Sequence, residues 1–162
     1  MRAVVDTNVA VTANGKSPQA SLLCRKVCIE RILQLEQNGK IVLDDSWLVL
    51  REYKDNLSES GQPGVGDNFL LWVLQNWKNP NASELHTLAR DMDHPEDLLA
   101  FPVDPDLVDF DRNDRKFAAL AIVSDAPVWN AVDPDWWEFH AALQRNGIQV
   151  EFLCSDFIAA QN

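Results

Sequence analysis

Val4-Val5-Asp6-Thr7-Asn8-Val9 is the stretch of sequence that decides the fold of this chain. The β-branched pair Val4-Val5 predicts a short strand over residues 2–5, which runs directly into a polar segment at Asp6. An acid at the end of a buried strand stands where α/β proteins bind their ligands. Other acids of the chain reach the same edge of the sheet if they also end strands or begin helices.

Downstream of this stretch, apolar runs of strand length alternate with segments of helical periodicity. Further strands are predicted at residues 41–43, 128–132 and 149–153, and helices at about residues 17–38, 45–57, 67–77, 84–92, 113–123 and 135–146. Residues 93–111 are acidic and contain three prolines, which favours a long surface connection. The alternation predicts one α/β domain over residues 1–162, with three α/β/α layers and a mostly parallel central sheet.

Composition narrows the classes of function. The chain has 162 residues, 46% of them hydrophobic, and a formal net charge of -11. Such an acidic surface repels phosphate backbones and anionic membranes, although bound divalent cations can supply positive charge locally. We expect no membrane segment and a cytoplasmic location, since no long apolar stretch and no secretory signal stand out. The three cysteines fit a reducing compartment, and Cys24 and Cys28 are predicted to be buried apolar side chains.

Four acids are candidates for one site. Asp6 and Asp133 are predicted to end strands, Asp114 to start a helix, and Glu52 to lie two turns into the helix after the second strand. Each alone has a plain structural interpretation as a cap, a turn residue or a solvated charge. Together they indicate a carboxylate pocket that a cation would compensate, and hard oxygen ligands suit magnesium or manganese.

The ordered segments around these acids resemble the PIN-domain nucleases, the superfamily that includes the VapC-type toxins. Residues 4–9 resemble the opening motif of the family, and the second, third and fourth acidic segments are matched by residues 48–53, 113–121 and 132–136. The resemblance covers nearly the whole chain in order. At the position two residues before the fourth acid, where the family usually has Thr or Ser, this chain has Ala131, with Asn130 beside it.

The resemblance implies metal-dependent hydrolysis of RNA phosphodiester bonds. Asp6, Glu52, Asp114 and Asp133 would then be the catalytic residues and hold one or two magnesium or manganese ions. Around them, Thr7 or Asn8 would orient a ligand or water, and Asn130 and Asp135 would support the ligands from outside.

Two functions remain open from the sequence. The first is an endoribonuclease, which could be the toxin of a toxin–antitoxin pair and held by a protein antitoxin. The second is a catalytically weak PIN-like domain that works by binding a protein partner. A homodimer is possible with either function. The four acids favour the first, whereas Ala131 and the strong acidity favour the second.

Overall fold

Five parallel strands form the central sheet in the order β3-β2-β1-β4-β5. The structure is a computed structural model and describes residues 1–161. The strands are β1 (Arg2–Val5), β2 (Lys40–Asp44), β3 (Ser83–His86), β4 (Val128–Asn130) and β5 (Val150–Phe152). The chain runs from β1 to β2 on one side of the sheet and later returns to β4 on the other side. The carboxyl ends of β1 and β4 therefore flank the switch point at which open parallel sheets bind ligands.

Eight α-helices accompany the sheet within residues 1–161. They are α1 (Thr7–Ala13), α2 (Leu22–Asn38), α3 (Leu48–Asn56), α4 (Val65–Gln75), α5 (Arg115–Ser124), α6 (Pro134–Glu138), α7 (His140–Arg145) and α8 (Ser155–Gln161). Helices α1, α2 and α4 contact one another, whereas α5 lies across β1, β2, β3 and β4. This arrangement confirms the predicted α/β class with three layers and a parallel sheet.

The core explains why the first strand is so apolar. Ala3, Val4 and Val5 are all fully buried, as expected for a central parallel strand that helices cover on both faces. On α5, Ala118, Ala119 and Ala121 are buried as well, and their small side chains let the helix approach the sheet closely. The start of α5 is thereby held near the ends of β1 and β4.

Several predicted elements differ from the structure. The helix predicted at residues 84–92 is wrong, because residues 83–86 form the edge strand β3, which pairs with β2 from Ile41 to Asp44. Pairing with an open sheet edge overrides the local pattern there. The helix predicted at residues 135–146 is divided into α6 and α7 at Phe139. Helix α2 begins at Leu22 rather than near residue 17, because Ser21 caps it by accepting from the Cys24 backbone N–H.

The cysteines also differ from the prediction. Cys24, Cys28 and Cys154 are all buried, but Cys24 and Cys154 form a disulfide, which leaves Cys28 as a free thiol. The bond joins α2 to the residues after β5 across 130 positions of sequence. The cysteine content therefore no longer supports a reducing compartment. No helix within residues 1–161 has the length and apolar character needed to cross a membrane.

Candidate metal centre

Three aspartates meet at the switch point of the sheet because each begins a helix there. Asp6 precedes α1, Asp114 precedes α5 and Asp133 precedes α6. Each contributes one carboxylate oxygen to a cluster in which these atoms all lie within 4.8 Å of one another. Asp6 and Asp114 are only 4% and 8% exposed, so the cluster is largely withdrawn from water. Asp133 lies three residues after the end of β4, not at the end of that strand as predicted.

Asp6 is fixed by hydrogen bonds to both of its carboxylate oxygens. The backbone N–H of Asn8 donates to Oδ1 over 3.0 Å, and the indole Nε1 of Trp136 donates to Oδ2 over 2.7 Å. Trp136 is fully buried and packs edge-on against Phe110, with ring centroids 5.1 Å apart. The indole therefore orients Asp6, a role that the sequence did not reveal for Trp136.

Burial and mutual repulsion disfavour the charged forms of these acids. Burial raises the pKa of Asp6 above its ordinary value, and the negative charges of Asp133 and Glu52 raise it further, against the hydrogen bonds from Asn8 and Trp136. Burial likewise raises the pKa of Asp114, and the charges of Asp6 and Asp133 and a hydrogen bond to Asp133 add to it. Asp6 and Asp114 therefore retain protons near neutral pH unless a cation replaces those protons.

Glu52 lies beside the three-aspartate cluster but outside it. Its Oε1 is 2.7 Å from Nζ of Lys116, and its Oε2 accepts a hydrogen bond from the Thr7 hydroxyl. The structure thus brings three of the four predicted ligands together and pairs the fourth with a lysine. Lys116 was not predicted as a site residue, although it stands two positions after Asp114.

The residues predicted around the ligands form a connected polar network. Asn8 Nδ2 donates to Asn130 Oδ1 over 2.9 Å, and Asn8 Oδ1 accepts from the N–H groups of Ala131 and Val132. Asn130 Nδ2 donates to the carbonyl of Asp133, and its Oδ1 accepts from the N–H of Asp133. Asn8 and Asn130 therefore hold the loop that carries Asp133, and the fully buried Ala131 supplies only its backbone to this network.

Asp135 lies on the outer side of the cluster. Its N–H donates to Asp133 Oδ1 over 3.0 Å, and its carboxylate joins those of Asp111 and Asp114 in a second group within 4.8 Å. Burial, followed by the charges of Asp133 and Asp111, raises the pKa of Asp135. Asp111 ends the predicted surface connection, and its Oδ1 accepts from the N–H of Asn113, which shapes the turn before Asp114.

The donor set at the cluster fits a hard divalent cation. All three clustered ligands are carboxylate oxygens, and the supporting residues also present oxygen atoms or backbone N–H groups. Magnesium and manganese prefer such ligands, whereas zinc favours nitrogen and sulfur. Asp6, Asp114 and Asp133 could hold such an ion, whereas Glu52 is paired with Lys116.

No protein-family model, curated protein or solved structure matches the chain. The resemblance to PIN nucleases therefore stays a prediction from the sequence. A fold of this class serves many functions, so the function has to be inferred from the side chains of the site.

Proposed function

We propose that the protein is a metal-dependent ribonuclease of the PIN type, with magnesium or manganese held by Asp6, Asp114 and Asp133. The observation that carries this proposal is the convergence of three carboxylates without a compensating cation from the protein. Within residues 1–161, the ion pairs involve other acids, including Glu52 with Lys116, and none involves these three. Buried like charges are unfavourable unless an ion compensates them.

Side chains around the three aspartates would assist the hydrolysis of a phosphodiester. When bound, a divalent ion lowers the pKa of water, positions the phosphate and stabilises charge on the leaving oxygen. Trp136 and Asn8 hold Asp6 in one orientation, while Asp135 holds Asp133 through its backbone N–H. Lys116 places an ammonium group beside Glu52, at the edge of the site, where it would attract the phosphate of the substrate.

The proposal that RNA is the substrate rests on the sequence resemblance, and so does the proposed role of a toxin held by an antitoxin. The acidity of the chain limits general electrostatic attraction to RNA, so we expect weak and selective substrate binding. A basic protein partner would complement the same surface. We also expect a cytoplasmic location and a homodimer.

A second candidate is a catalytically weak PIN-like domain that binds a protein partner. Ala131 stands where the family usually has a hydroxyl, and Glu52 is turned toward Lys116 rather than toward the three aspartates. Met92, just before the acidic connection, and Val103 on it are also exposed, which offers apolar contact area for a basic partner. These observations favour binding over cleavage if the acids bind metal without activity.

A cleavage assay separates the two candidates. Purified protein is incubated with mixed RNA and manganese or magnesium, with a chelator control, beside Asp6→Asn and the matched exposed variant Asp55→Asn. We expect cleavage by the wild type and by Asp55→Asn, and its loss in chelator and in Asp6→Asn, because the aspartate positions the ion. Cleavage that persists equally in chelator and in Asp6→Asn would contradict the proposal, and metal binding without any cleavage would favour the second candidate.

A further inference from the structure

Two clefts adjoin the candidate metal centre, and Asn113 lines both of them. The larger has a volume of about 790 Å³ and is lined by four acids, which are Asp91, Glu96, Asp97 and Asp104. Of its four cationic side chains, Lys116 pairs with Glu52 of the smaller cleft, so three cations are left to face the four acids. The smaller, about 470 Å³, lies between the start of α1, residues 16–19 and α3, and we name it the nucleotide cleft. Among the described residues that line the nucleotide cleft, Glu52 is the one acid, and Lys116 neutralises it.

The two clefts differ in the charge of the residues that line them, and this difference decides which cleft suits an anion. The protein as a whole carries a net charge of -11, so a polyanionic substrate is repelled from most of its surface. The nucleotide cleft contains Lys16 at its exposed rim and no unpaired acid among its described lining residues. An RNA strand that reaches the aspartates is therefore repelled least along the nucleotide cleft.

The lining of the nucleotide cleft includes residues that are next in sequence to the clustered aspartates. Thr7 lines it and follows Asp6 directly, while Asn113 lines it and precedes Asp114 directly. Glu52, whose charge acts on Asp6, forms part of the same wall. A phosphate at the aspartates would place the neighbouring nucleotide of the strand in this cleft.

The walls of the nucleotide cleft carry the chemistry that recognises a base. Gln19 and Asn56 are exposed, and an amide side chain offers both a donor and an acceptor to a base edge. Asn56 already donates through Nδ2 to the Glu52 carbonyl over 2.9 Å, which orients its amide group. Val11 and Pro18 add apolar surface for a base face, and the volume lies within the range of about 300–1,000 Å³ typical of small-ligand sites.

We propose that the nucleotide cleft binds one unpaired nucleotide of the RNA next to the scissile phosphate, with the base read by Gln19 and Asn56 and a flanking phosphate contacted by Lys16. This inference rests on the proposed ribonuclease function and adds to it the residues of this chain that would select the base. The nucleotide must be unpaired because pairing occupies the Watson–Crick edge of a base, and the major groove of an RNA duplex is too narrow for side chains to read.

The first test measures base preference and affinity. Gln19→Ala, Asn56→Ala and Lys16→Ala are compared with the matched exposed variants Gln37→Ala and Lys26→Ala on α2, after melting curves establish that all fold. Gln19→Ala and Asn56→Ala should each lower the rate of cleavage next to the base that the wild type prefers by about three- to tenfold, which is the effect of one hydrogen bond. The affinity for manganese should not change. Lys16→Ala should weaken binding of all sequences alike and reduce the slope of log affinity against log salt by about 0.7.

The second test separates this inference from the proposed function. Binding of a short fluorescent oligoribonucleotide is followed by anisotropy in chelator, where metal-dependent cleavage cannot occur. Binding that weakens in the three cleft variants but not in Gln37→Ala or Lys26→Ala supports the nucleotide cleft even if no cleavage is found. The inference about the cleft would be wrong if all three variants cleave RNA with metal and keep the base preference and affinity of the wild type within twofold; the ribonuclease function would then still stand. Equal cleavage of paired and unpaired RNA would also contradict the role of the cleft.

Discussion

Acidification should stabilise the metal-free protein between about pH 5 and about pH 7. The structure raises the pKa of Asp6 and Asp114, chiefly through burial and then through neighbouring negative charges. In the unfolded chain both groups titrate near an ordinary pKa of about 4. Above that pH the folded state therefore binds more protons than the unfolded state, and the free energy of unfolding falls as pH rises until the folded groups lose their protons.

The size of the effect depends on the number of protons retained. Each retained proton makes the free energy of unfolding fall by about 1.4 kcal/mol per pH unit, so one proton corresponds to about 2.7 kcal/mol over two units. For a chain of this size that lowers Tm by about 5–10 °C. The carboxyls of Glu84 and Asp104 do not produce this trend, because their ion pairs lower their pKa to about 2.

The assay is chemical unfolding in chelator at a series of pH values for the wild type and for the double variant Asp6→Asn/Asp114→Asn. The double variant removes two of the three clustered acids and keeps Glu36, whose pKa burial also raises. We expect a slope in the wild type that is much smaller in the double variant. Identical slopes in both proteins would refute the reasoning, since the cluster would then hold no excess protons.

Three further predictions concern individual side chains. Trp136→Phe removes the hydrogen bond to Asp6 and should lower the free energy of unfolding by about 1–2 kcal/mol and weaken manganese binding. An unchanged affinity for manganese would show that the indole does not orient Asp6. Asp135→Asn should retain more cleavage activity than Asp133→Asn, because Asp135 contacts Asp133 through its backbone N–H, which the substitution keeps; equal losses would place Asp135 among the ligands. Lys116→Gln frees Glu52 and should tighten manganese binding about threefold in calorimetry, while the KM for RNA rises. Weaker manganese binding would instead mean that Lys116 holds Glu52 in a ligand position.

The sequence predicted the parts of the site that depend on strand ends and helix starts. A buried strand that ends in Asp6, and an Ala-rich helix that starts at Asp114, place their acids at one edge of a parallel sheet from local pattern alone. The parallel sheet itself was predicted by the alternation of strands and helices. These features were predictable because each depends on a few neighbouring residues.

Other features depend on partners that are distant in sequence. The ion pair between Glu52 and Lys116 and the bond from Trp136 to Asp6 join residues 64 and 130 positions apart, so no local spacing indicates them. The disulfide between Cys24 and Cys154 is of the same kind. Strand β3 was missed because its pairing with β2, rather than its own residues, determines its conformation.

Direct measurement of metal binding tests the central claim most closely. Manganese is titrated by calorimetry into the metal-free wild type, Asp114→Asn and the matched exposed variant Asp55→Asn at neutral pH. We predict saturable binding to the wild type and to Asp55→Asn, with proton release because the ion displaces protons from Asp6 and Asp114. Binding should be weaker by at least about tenfold in Asp114→Asn. Equal binding to all three proteins, or none to the wild type, would contradict the assignment of this cluster as a metal centre.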